Sequence, residues 1–219
     1  MTAEIRDIAI FTTVAAIAAT ALMLVPGVAV AWLLARRDFR GKSLVETLVS
    51  LPLVMPPVAT GLLLLWLFSR RGPLGAMLAR IDVEVVFTPA AVVVAMAVMG
   101  LPLLVRTARA GFEQVTRRYE QIAETLGAGP WRVFSTVTLP LAARNILAGA
   151  VLGFSRALGE FGATIVVAGS IPGRTRTLAV GIYSYAESGQ DEQAAALLAI
   201  SAVIAFAAVF ASNRLAREA

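Results

Sequence analysis

Hydrophobic positions in this chain gather into five long runs, at residues 9–35, 44–68, 86–110, 139–167 and 193–212, and short segments between them hold most of the charge. Each run has the roughly 20 residues that a helix needs to cross a hydrocarbon core of about 30 Å. In lipid a helix is the form that satisfies its own backbone polar groups. The pattern therefore predicts an all-α membrane protein, a single transmembrane domain over residues 1–219 with about five spanning helices. The fourth run is the most polar, carrying Arg144, Asn145, Arg156 and Glu160. Six spans would result if residues 161–169 crossed separately, but Arg214 and Arg217 would then lie outside, so five is the preferred count.

Prolines punctuate these runs at Pro26, Pro52, Pro56, Pro57 and Pro102. Each removes a backbone donor and kinks or interrupts a helix. The densest stretch, LPLVMPPVATG at residues 51–61, reads either as a kink relieved by packing or as an irregular segment lining a pathway. Broken backbone at membrane depth survives only against protein or water.

Composition narrows the class. The chain is 58% hydrophobic and 15% charged with a mean hydropathy of +0.80, against roughly 45–50% apolar residues in a soluble domain. It contains no cysteine and no histidine. That excludes disulfides and thiolate metal sites and removes the commonest metal ligand and physiological-pH base. The net charge of +5 does not point to nucleic acid, because the arginines sit at the ends of apolar runs, where they set orientation. Arg36, Arg37, Arg40 and Lys42, then Arg106, Arg109, Arg117, Arg118 and Arg132, and finally Arg214 and Arg217 are predicted to be cytoplasmic. Alternation then puts the N-terminus and the loops at 69–84 and 170–193 outside, although Arg70, Arg71, Arg80, Arg174 and Arg176 lie in those loops.

One polar island, within a predicted hairpin at residues 113–140, stands out. Its core reads QIAETLGAGPWRVFSTVTLP from Gln121 to Pro140. Residues 119–126 are good helix formers, and Gly127 can close that helix in a left-handed conformation. Pro130 suits the first position of a second short helix, and Pro140 marks re-entry into the membrane. A cytoplasmic helix-turn-helix follows, whose small turn residues admit a close partner. The alternative is an amphipathic hairpin that rests on lipid, with Trp131 as an interfacial anchor.

Gln121-Ile122-Ala123, then Gly127 after three residues, then Val137-Thr138-Leu139-Pro140 after nine more, resembles the EAA motif of ABC importer permeases. Gln121, Ile122 and Val137 depart from that pattern's Glu, Ala and Ile. The segments at residues 51–64, 126–142, 155–173 and 175–177 are similar to the permease subunits of molybdate importers, with sulfate and thiosulfate permeases as a sister family. The resemblance implies a type I ABC importer fold and a homodimer forming the pore. It also implies two cytoplasmic ATPase subunits, an external oxyanion-binding protein, and a prokaryotic plasma (inner) membrane. No Gly-x-x-x-x-Gly-Lys-Ser/Thr loop occurs, so ATP and Mg2+ are expected on the partner ATPase, with no catalytic residue, metal or cofactor in this chain.

On that reading Gln121, Ala123, Glu124, Gly127, Ala128, Trp131, Arg132 and Pro140 form the ATPase-coupling surface. The small residues would allow close approach, Glu124 would accept, and Trp131 and Arg132 would anchor the rim. A second group, Pro56, Pro57, Arg156, Gly159, Glu160, Phe161 and Gly162, is the candidate pathway or gate. From Pro140, a helical rise of about 1.5 Å per residue carries Arg156 roughly 22–24 Å deep. Spaced four apart, Arg156 and Glu160 can pair and lower the cost of charge in the membrane; that structural role competes with the gate. An ion-coupled carrier would want charged groups at the midplane or an inverted repeat, and a membrane enzyme a nucleophile or metal cluster. Neither is visible in the sequence.

Overall fold

The computed structural model describes residues 3–217, with side chains through residue 210 and at Arg214. The described residues contain helices and connecting turns, with no strand. The helices are α1 (Ala3–Arg36), α2 (Lys42–Val54), α3 (Pro57–Phe68), α4 (Pro73–Leu78), α5 (Pro89–Gln114), α6 (Arg117–Thr125), α7 (Pro130–Val133), α8 (Leu139–Leu158), α9 (Gly162–Ala168), α10 (Leu178–Glu187) and α11 (Asp191–Arg217). Five segments are long and apolar enough to cross a membrane: Ala3–Arg36, Pro57–Ile81, Pro89–Gln114, Pro130–Leu158 and Asp191–Phe210.

The core is the bundle of α1, α5 and α8, with α5 at its centre. Ala91, Val92, Ala95, Met96, Met99, Leu104, Ala108 and Phe112 are all buried along α5. Lipid tails are as apolar as leucine, so helices in a bilayer associate by close packing at small residues. At the crossing of α5 and α8, a Cβ on Gly100 would stand 2.8 Å from the carbonyl oxygen of Gly153. Met23 of α1 fills the remaining space beside both glycines. The outer face of α11 leaves Leu198, Val203, Phe206 and Phe210 exposed, as a surface in contact with acyl chains or another subunit requires.

Two of the predicted runs are not continuous helices. The run at 44–68 breaks at Met55–Pro56 into α2 and α3, with Pro57 at the first position of α3. Pro26, Pro52 and Pro102 are instead accommodated within α1, α2 and α5. The second segment long and apolar enough to cross begins only at Pro57 and runs to Ile81, so α2 precedes it. Glu46 and Ser50 of α2 meet Arg109 and Arg106 near the end of α5, whereas α3 packs on α9. Beyond α3 the chain folds back through α4, and the Phe87 amide donates to the Val167 carbonyl at the end of α9. The run at 139–167 also stops early, at Leu158, and α9 restarts after Gly159-Glu160-Phe161. With 7 residues, α9 spans only about 10 Å, too short for the sixth crossing considered from sequence. The loop predicted at 170–193 contains α10, which is tied to α1 where the Thr12 hydroxyl accepts from the Leu178 amide at 2.8 Å.

The α1 end bearing Glu4, paired with Arg176 at 3.3 Å, lies opposite the end bearing Arg36 and the polar hairpin. In the tail, Arg214 stacks its guanidinium 5.2 Å from the Phe210 ring, while the side chain of Arg217 lies outside the described residues.

Candidate functional site

At the end of α6, the Gly127 amide donates to the Glu124 carbonyl at 2.9 Å and the Ala128 amide to the Ala123 carbonyl at 3.0 Å. Gly127 has φ +85°. This is the paired six-to-one and five-to-two bonding by which a left-handed residue satisfies the last carbonyls of a helix. Nothing lies within 4 Å of a Cβ built on Gly127 or Gly129, so the turn is bare on its outer side. Pro130 opens α7.

The second arm differs from the separate short helix predicted there. From Phe134 to Thr138 the helix widens to π geometry, the Leu139 amide donating back to the Phe134 carbonyl, and it continues directly into α8. Pro140 therefore sits inside a helical run from Pro130 to Leu158. Proline removes one amide and crowds the carbonyl four residues back, and a wide turn at that point is a local adjustment that relieves both.

A polar clasp fixes the hairpin to the bundle. Glu120 of α6 receives the Arg36 guanidinium at 3.1 Å and the Thr138 hydroxyl at 2.6 Å, while Arg36 also donates to the Val115 carbonyl at 2.9 Å. The two charged side chains are only 10% and 18% exposed, so this pair is protected from the screening that weakens surface ion pairs. In the sequence Arg36 is only a topological marker, Thr138 appears only as a motif position and Glu120 has no assigned role. No spacing rule links residues so far apart.

Of the predicted coupling residues, Gln121, Glu124, Gly127, Trp131, Arg132 and Pro140 are exposed, and Ala123 and Ala128 are half-buried at the turn. Trp131 is 78% exposed, and near it Leu126 is 83% and Ile122 48% exposed. Bare apolar side chains grouped at a polar end of a protein mark an interaction surface. Behind them, Phe134 stands between Trp131 and Trp32, with ring centroids 5.7 and 5.6 Å away.

The other predicted group gathers at the junction of α3, α8 and α9, remote from the hairpin along α8. Arg156 and Glu160 do pair, at 2.8 Å, but Glu160 lies past the end of α8. Its second carboxylate oxygen accepts from the Ala163 amide at 2.7 Å, capping α9. Glu160 is 1% exposed, so both oxygens of a buried charge are engaged as burial requires. Close packing locks α9 to α3: a Cβ on Gly162 would lie 2.7 Å from Pro57, and one on Gly61 2.9 Å from the Ala163 backbone. Phe161 faces Tyr183 of α10 at 5.1 Å between centroids. Gly159 is exposed with open space around it.

Comparison with known proteins fits this geometry. The sequence profile of the family described as "Binding-protein-dependent transport system inner membrane component" matches residues 27–218. The chain is 46% identical to the molybdenum transport system permease protein ModB of Escherichia coli K12, covering 87% of this chain and 84% of that protein. Identity is 43% to its counterpart in Haemophilus influenzae, over 86% and 83% of the two chains. The sulfate transport system permease protein CysT of Escherichia coli K12 is 36% identical, over 86% of this chain and 68% of that protein. In three dimensions the fold matches a chain of a bacterial ABC transporter that imports alginate, with a TM-score of 0.71 and 16% identity over all of this chain and 80% of the other. The profile and these identities together place the chain in the family of binding-protein-dependent inner-membrane transport components.

Proposed function

We propose that this chain is the membrane-spanning permease subunit of an ATP-driven importer that carries molybdate, and with it tungstate, into the cell. The observation that carries the reading is its 46% identity to a molybdenum permease, sustained over nearly the whole length of both chains. The bare hairpin at residues 113–140 supports the coupling part. Its turn is unobstructed, its apolar tip is uncovered, and the clasp at Glu120 transmits force on α6 to α1 and α8. Two copies of the chain enclose the pore, two cytoplasmic ATPase subunits holding ATP and Mg2+ dock on the hairpins, and an external binding protein delivers the oxyanion. The hairpin end and the C-terminus face the cytoplasm, and the Glu4–Arg176 end faces outward. In this scheme α3 and α9 move as one unit against α8, a rigid-body switch between two packings, and the group around Pro56, Pro57 and Glu160 borders the path that opens. Arg156 is neutralised by Glu160, which lets an oxyanion pass without being held.

The sulfate permease likeness supplies the second reading, a sulfate importer. Both are tested by oxyanion-stimulated ATP hydrolysis in proteoliposomes holding the chain, its ATPase and its binding protein. Stimulation by molybdate and tungstate alone supports the proposal. Stimulation by sulfate moves the chain to the sister function, and no coupling to an ATPase refutes the mechanism.

A further inference from the structure

Between α1 and the hairpin lies a cavity of about 280 Å³. Three arginines line it: Arg36, Arg37 and Arg117, facing Glu120 and Glu124. Glu120 is committed to Arg36 and Thr138, and nearby Asp38 to Lys42 at 2.9 Å; that bond and the charge of Lys42 hold Asp38 below the usual carboxylate range. The Nε of Arg36 is buried with no hydrogen-bond partner, in a side chain nine-tenths removed from solvent. A buried charged donor left without an acceptor is costly. The site has donors to spare.

The cavity opens onto an apolar groove of about 860 Å³ along α1 and the Pro130–Leu158 run, lined by Leu24, Val28, Trp32, Trp131, Phe134 and Ile146 among others. Trp32, Arg37, Pro130 and Phe134 border both spaces. From Arg37 to Leu24 the groove follows α1 for about 20 Å at 1.5 Å per residue, a little more than one leaflet of a hydrocarbon core about 30 Å thick. Tryptophans at its mouth belong at the level of lipid headgroups.

We infer that this is a binding site for one anionic phospholipid, its phosphate held in the arginine cavity and an acyl chain lying in the groove. A negatively charged head complements Arg37 and Arg117, and a chain of one leaflet's length complements the groove. A protein segment would have to present both an anion and an extended apolar strip at this spacing. A lipid bound here bears on Phe134 and the π turn, and so would steady the hairpin. The inference requires only that the chain spans a membrane, and does not depend on which oxyanion is carried.

The test uses the full-length chain in mixed micelles with Trp66→Phe, which leaves Trp32 and Trp131 as the emitting tryptophans. Quenching by brominated phosphatidylglycerol is compared with quenching by brominated phosphatidylcholine. The expected result is a preference for the anionic lipid, with each arginine near the surface contributing about fivefold. That preference should fall close to one in Arg37→Gln/Arg117→Gln and persist in Arg37→Lys/Arg117→Lys. Equal quenching by the two lipids overturns the inference, as does a preference unchanged in the glutamine variant. Protection of both tryptophans from either lipid also overturns it, because a second copy of the chain would then occupy the groove.

Discussion

The guanidinium of Arg36, at the last turn of α1, and the carboxylate of Glu120, in the first turn of α6, are joined at 3.1 Å. This contact converts a surface hairpin into a part of the bundle. Because Glu120 also receives Thr138 and Arg36 also serves Val115, the start of α6 and the π turn are referred to the same point on α1.

Removing one partner of a nearly buried pair leaves the other uncompensated, at a cost of about 3 kcal/mol. Arg36→Ala is expected to release the hairpin locally while the transmembrane bundle persists. Hydrogen exchange of residues 117–138 should rise by an order of magnitude or more, with the interior of α5 unaffected. Glu120→Gln keeps an acceptor for both neighbours and should show the smaller change. Equal exchange in Arg36→Ala and the parent would remove the clasp from the account.

Gly127 tests coupling. An L-residue in the left-handed conformation costs about 1–2 kcal/mol, so Gly127→Ala, with φ +85° at that position, should lower stability by about that much. Gly127→Asp adds charge to a turn proposed to enter the ATPase groove. It is expected to leave the protein inserted while ATP hydrolysis no longer drives uptake in the reconstituted complex. Normal uptake by Gly127→Asp would sink the docking claim.

Glu160 separates the structural role of a buried charge from a transport role. Glu160→Ala strands Arg156 and uncaps α9, and should lower stability by about 3–5 kcal/mol, read as a depressed melting temperature in detergent. Glu160→Gln retains an acceptor for the Ala163 amide and is expected to be the milder of the two. If both variants melt like the parent, the pair and cap do not hold α9.

Steric locking of α9 on α3 gives a fourth prediction. A side chain at Gly61 must push against the Ala163 backbone, which cannot move aside as a flexible side-chain tip would. Overpacking of this kind costs about 1–3 kcal/mol. Gly61→Val is therefore expected to destabilise the protein and slow uptake, whereas Gly129→Ala, with open space around it, should alter neither. Unchanged melting and uptake in Gly61→Val would show that the two helices are not locked.

Much of the architecture is legible in the order of residues alone. Membrane class and the count of spanning helices follow from apolar runs of sufficient length, because lipid forces each run to satisfy its own backbone. The turn at Gly127 and the helix start at Pro130 are local backbone preferences that neighbours need not decide. Other features depend on contacts that sequence spacing cannot express. Pro52 and Pro102 stay within helices while the chain breaks at Pro56, and the structure seats Pro57 and Gly61 against Gly162 and Ala163 at that place. The fourth run ends at Leu158 because Glu160 finds Arg156 on one side and the amide of Ala163 on the other. Pro140 is absorbed by a widened turn, and the hairpin's orientation is set by Arg36, which sequence could read only as a charge at the end of a span. Local propensity and solvent partition thus determined the elements, and tertiary packing decided where they break and what holds them, because burying a charge or a proline is tolerable only where particular distant partners are already in place.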